Sequence, residues 1–289
     1  MLGRGSWWVM ALAGFLVRGG LLLLIPPIVM IPTTAELGGL LDPSIVGTGL
    51  ATPTPALVAL VAGLAIAFIV ALVVTTVIGE WLELSLVEAA AADDELAAFA
   101  ATATDAPPPG TGLVRASIVR LVAHVPTLAA GLVAASAIGV ALTNEVTSPS
   151  GPGPLPLRVF VDVPIPVAAL VILWLVGEAW GGIAVRRLRI GEEIGRALGL
   201  AWLDLVRPSG LATLVVGSLA VALPVAILWY AAGRAFDRLW PLVVDGADAR
   251  FVAIALVLLV ATWVVALWLL AIGLAWRSAA WTAEVLRRT

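Results

Sequence analysis

The chain's long apolar runs constrain it most. Stretches near 19–33, 56–78, 121–143, 164–184, 210–232 and 251–273 are long, rich in Ala and Leu, and nearly free of charge. A helix crossing a bilayer needs about 20 such residues, because lipid offers the backbone no hydrogen-bond partners and the segment must satisfy its own. Strands of a membrane barrel are about 10 residues long and alternate in polarity, a pattern these runs lack. Composition agrees: 62% of residues are hydrophobic and 12% charged, against about 25% charged in soluble domains. The expected fold class is all-α: a polytopic membrane protein with six transmembrane helices.

Three arginines stand at the edges of these runs in a recurring context. Leu16-Val17-Arg18, Ile118-Val119-Arg120 and Leu205-Val206-Arg207 each precede an apolar span. About sixty residues after each comes a second shared element: Gly79-Glu80-Trp81, Gly177-Glu178-Ala179-Trp180 and Gly273-Leu274-Ala275-Trp276. The order and spacing predict three hairpin repeats in a single transmembrane domain over 1–289, at about 5–104, 105–189 and 190–289. Amphipathic interfacial helices are expected near 5–18, 82–104 and 188–206. In this arrangement Arg18, Arg120 and Arg207 are interfacial, with guanidinium groups reaching out to lipid headgroups. The alternative for Arg18 is a buried intramembrane charge, whose default reading is functional.

All the basic residues are arginine, and their distribution orients the chain. With the amino terminus inside, twelve fall on inner segments, and only Arg158, Arg234, Arg238 and Arg250 fall on outer loops. The positive-inside rule then places both termini in the cytoplasm. The Ala, Gly, Arg and Pro bias suggests a bacterial inner membrane.

Several residues are candidates for chemistry. Glu80 and Glu178 hold matching repeat positions, and Arg277 follows the third equivalent by one helical turn. These three form a candidate charge cluster, either a coupling site for protons or cations, or an anchor at headgroup depth. His124, the chain's single histidine, lies four residues after Arg120 and reads as a hydrogen-bonded interfacial residue. One histidine and no cysteine are too few for a zinc site. Pro26 and Pro27 mark a helix break of the kind that lines transporter sites or serves as a packing kink. Small-residue ridges at Gly131-x3-Ala135-x3-Gly139 and Gly177-x3-Gly181 predict close helix contacts. The twelve tryptophans suit an aromatic belt.

No zincin helix, nucleophile elbow or phosphate loop occurs, and no cofactor or metal is implied. A net charge of −3 gives no footprint for nucleic acid. The expected partners are the lipid bilayer and a protein at the cytoplasmic face. The hairpins, interfacial helices, [LI]VR elements and G-E-x-W elements together resemble the membrane domain of glycerophosphodiester phosphodiesterases and YciC-like families. That resemblance covers the plan of the chain and carries no functional residue. The expected function is transport or lipid handling between the repeats; the alternatives are a membrane scaffold or complex subunit, and an intramembrane enzyme acting on lipid.

Overall fold

The computed structural model describes residues 5–21, 23–24, 70–86, 109–148, 155–244 and 249–286. Among the described residues the chain is helical throughout and has no strand. The elements are α1 (Gly5–Phe15), α2 (residues 70–86), α3 (Pro109–Ala123), α4 (Val125–Thr147), α5 (Leu155–Asp162), α6 (Pro164–Arg189), α7 (Ile194–Val206), α8 (Pro208–Val244) and α9 (Ala249–Leu286). Four of them are long and apolar enough to cross a membrane: Val125–Glu145 in α4, Pro164–Arg189 in α6, Pro208–Leu239 in α8 and Arg250–Val285 in α9. The first two expected spans fall mainly outside the described residues, as do Pro26, Pro27 and most of the expected interfacial helix at 82–104.

The helix ends follow local chemistry. Proline in the first turn opens α4 and α6, where its missing N–H costs no intrahelical bond. Gly191, at φ +92°, closes α6: its N–H donates to Leu188 O at 3.1 Å, and Glu192 N–H donates to Arg187 O at 3.2 Å. This is the left-handed glycine stop that frees the chain to start α7. At the end of α1 a five-residue π-turn, Leu16–Gly20, carries non-helical dihedrals at Arg18 and a φ of +101° at Gly19. The Arg18 guanidinium lies against α1 at Gly14, where a Cβ would come within 3.3 Å of Nη1.

Packing inverts the pattern of a soluble protein. The outward faces carry Leu132, Ile165, Tyr230 and Val257, each at least two-thirds exposed. Meanwhile Glu80, Glu178 and Arg186 are fully buried. So large an exposed apolar surface suits hydrocarbon as the surrounding solvent. One apolar core joins α3, α6, α7 and the end of α9 through Val119, Ile183, Ala201 and Val285. A second joins α1, α8 and α9 through Trp7, Phe15, Leu228 and Leu270.

Two sequence expectations about packing are corrected. Gly177 and Gly181 do permit close approach, since a Cβ there would lie 3.1 Å from Ala123 O and 3.0 Å from Arg120 Cδ. The Gly131–Gly139 ridge does not: Ala135 and Gly139 are exposed, and Ala134 is the buried residue instead. The aromatic belt is also incomplete. Trp81, Trp202 and Trp268 face outward, whereas Trp7 and Trp281 are core residues.

Candidate functional site

A buried layer of charge ties together α2, α3, α6, α9 and the turn that follows α1. Glu178 is its centre. Arg18 Nε stands 3.2 Å from its carboxylate, Arg277 Nη2 at 3.5 Å and His124 Nε2 at 3.4 Å. Arg120 Nε donates to Glu80 Oε1 at 2.5 Å, while its Nη1 donates to the backbone oxygen of Glu178 at 2.9 Å. Arg18 Nη1 donates to Gly79 O at 3.0 Å, and its Nη2 lies 3.5 Å from Glu83. Arg186 completes the layer: it donates to Glu83 Oε1 at 2.7 Å, Thr282 Oγ1 at 2.8 Å and Ser278 Oγ at 2.6 Å.

Glycines make this density possible. A Cβ at Gly79 would sit 2.6 Å from Arg18 Cγ, and one at Gly182 would sit 2.4 Å from the Trp281 ring. Trp281 in turn supports the cations, with the guanidinium carbons of Arg277 and Arg186 at 4.7 and 5.6 Å from its ring centre.

The sequence candidates are thus brought together in part. Glu178 meets Arg277 directly, and Glu80 joins them through Arg120. The outward reach expected of Arg18 and Arg120 is corrected: their side chains are 6% and 2% exposed and engage carboxylates. The reason is the supply of buried Glu80, Glu83 and Glu178: Glu80 would lose its arginine, and Glu83 and Glu178 would each lose one of theirs, if Arg18 and Arg120 pointed to lipid headgroups. Arg207, in contrast, is exposed at 55% and lies 3.5 Å from Asp204. Asp204 is held mainly by buried Arg187, at 2.8 Å to Nε, which locks α7 against α6.

Glu83, Arg186, Ser278 and Thr282 are members that the sequence reading missed. Helical spacing was the available signal. Glu83 follows Glu80 by three residues, Arg186 follows Glu178 by eight, and Arg277, Ser278, Trp281 and Thr282 form one stripe on an otherwise apolar helix.

The layer's position differs from helix to helix: His124 precedes the α4 span, whereas Glu178 and Arg186 lie within the α6 span and Arg277 within the α9 span. From Val125, next to His124, the membrane-compatible part of α4 runs 21 residues to Glu145, about 30 Å of helix and close to the hydrocarbon thickness. Glu145 pairs there with Arg158 at 2.7 Å. His124 and the Glu145–Arg158 pair therefore flank the two ends of the α4 span.

Beside the layer lies a groove of about 420 Å³ between α4, α6 and α7, lined by Ala123, Pro126, Leu173, Val176, Gly177, Trp180, Leu198, Gly199 and Trp202. Trp180 donates to Leu198 O at 2.9 Å and meets Trp202 edge to face. Gly177 separates the groove from His124, whose ring would be 3.2 Å from a Cβ at that position. Comparison with protein-family models, curated proteins and solved structures returns no match.

Proposed function

We propose that this protein is a non-catalytic, multi-pass membrane protein that handles an anionic phospholipid, with an acyl chain in the groove and the headgroup drawn toward the buried arginines. The groove carries this reading. Its volume is in the range of small-molecule sites, its lining is apolar, and it lies at the end of a span, where acyl chains are the abundant apolar material. Charge supports an anionic head: Arg18, Arg120, Arg186 and Arg277 outnumber Glu80, Glu83 and Glu178.

Our reading of the whole chain keeps six spans in three hairpin repeats, with both termini cytoplasmic and the charged layer at the inner boundary. One recurring contact supports the repeat: Arg18 and Arg120 each donate through Nη1 to a backbone oxygen of the Gly-Glu element that follows, at Gly79 and at Glu178.

Gly199 provides the test. A Cβ there meets nothing within 4 Å, so Gly199→Phe adds a ring to the groove without a clash at its point of attachment. The expected result is a folded variant that retains several-fold less phosphatidylglycerol than the parent in native mass spectrometry from mixed-lipid nanodiscs. Equal retention by the folded variant refutes lipid handling at this groove and leaves the membrane scaffold as the better reading.

A further inference from the structure

We propose that His124 and Glu178 form a proton-binding site that holds one exchangeable proton between the imidazole Nε2 and the carboxylate. The site does not depend on the groove being occupied by lipid. Proton accounting carries the inference. His124 Nδ1 stands 2.9 Å from Arg120 O, and a backbone carbonyl can only accept, so Nδ1 holds a hydrogen. In a neutral ring Nε2 would then present a bare lone pair. It faces Glu178 Oε1 at 3.4 Å, and an ionised carboxylate is also an acceptor only. Two lone pairs confronting each other at 0% exposure of the carboxylate are repulsive, and a proton on either atom removes the conflict.

The surroundings do not supply that proton by another route. Arg120 on α3 spends Nε on Glu80 and Nη1 on the Glu178 backbone. Arg18, beyond α1, and Arg277, on α9, approach Glu178 at 3.2 and 3.5 Å, and Glu83 on α2 and Arg186 on α6 engage each other. Arg18 Nε at 3.2 Å and Arg120 Nη1 at 3.9 Å also approach Oε1 itself, yet neither hydrogen-bonds it. The location also gives access. The His124 side chain is 15% exposed, more than any of these arginines and glutamates, so exchange runs through the imidazole.

Occupancy changes the charge of the layer. Four arginines against three glutamates leave a surplus of one positive charge, which the bound proton raises to two. Proton uptake and attraction of an anion to this layer are thereby coupled.

The single histidine makes the proposal directly measurable. Untagged protein labelled with ¹⁵N-histidine in nanodiscs at pH 7 should show a proton on both ring nitrogens. Glu178→Gln, whose amide can donate to a bare Nε2, should restore the neutral ring with its proton on Nδ1. A bare Nε2 in the parent, accompanied by a carboxylic acid infrared stretch that Glu178→Gln abolishes, places the proton at the carboxyl end and also supports the pair. A bare Nε2 without that stretch overturns the proposal. Should Glu178→Gln fail to fold, Glu178→Asp serves in its place by shifting the stretch.

Discussion

Replacing Arg186 by methionine tests whether the charged layer holds the helices together. The side chain is fully buried and makes five hydrogen bonds, to Thr282 Oγ1, Gly182 O, Glu83 Oε1, Ser278 O and Ser278 Oγ. Methionine keeps the apolar stem and loses every donor. Glu83 would retain only Arg18 at 3.5 Å and the Ser278 hydroxyl at 3.2 Å. Removing one partner of a buried ion pair costs about 3–5 kcal/mol when the remaining charge is left without compensation. The longer Arg18 contact replaces only part of what Glu83 loses, which puts the expected cost at about 3 kcal/mol, the lower end. Arg186→Lys keeps the charge but not the planar fork, and should cost about 2 kcal/mol. Adding Glu83→Gln to Arg186→Met removes the orphaned charge, so the double variant should be about 2 kcal/mol more stable than the sum of the single effects. Unfolding by SDS in mixed micelles, followed by tryptophan fluorescence, reads all five proteins: the parent, Arg186→Met, Arg186→Lys, Glu83→Gln and the double variant. An Arg186→Met variant within about 0.5 kcal/mol of the parent, or strict additivity in the cycle, refutes the reasoning.

Further substitutions probe other parts of the architecture. Gly182→Ala drives a methyl group to 2.4 Å from the Trp281 ring and should destabilise by about 1–3 kcal/mol in the same assay; Gly199→Ala, which meets open space, should stabilise α7 by up to about 1 kcal/mol. Arg187→Gln removes the buried partner of Asp204, so hydrogen exchange across Ile194–Val206 should accelerate while exchange in Pro208–Val244 stays unchanged. The chain has no cysteine, so Ser148→Cys and Glu193→Cys can be labelled singly in oriented vesicles; they should react from opposite faces, and labelling of both from one face refutes the assigned topology.

The membrane character of the fold was legible because it rests on a one-dimensional quantity, the length of uninterrupted apolar sequence. Four expected spans coincide with α4, α6, α8 and α9, although each helix continues beyond its run. The structure also shortens one local inference. His124 was expected on the helix face of Arg120, yet it occupies the turn between α3 and α4, one residue before Val125 and two before Pro126. Arg18 was misjudged for a similar reason. Its fate depends on the π-turn and the left-handed Gly19, which hydropathy does not register.

The amino-acid sequence by itself determined that this chain forms long helices suited to a bilayer, a property that follows from apolar length and acts locally. It offered two small-residue ridges, and only the packing decided that the close contacts are at Gly177 and Gly181. Only the tertiary structure decided where the charges go. Glu80 and Arg120 are 40 residues apart, Glu83 and Arg186 are 103 apart, and Arg18 and Glu178 are 160 apart. No local pattern encodes such pairings; they arise when several helices enclose a volume without water, and each carboxylate in it requires a cation within reach.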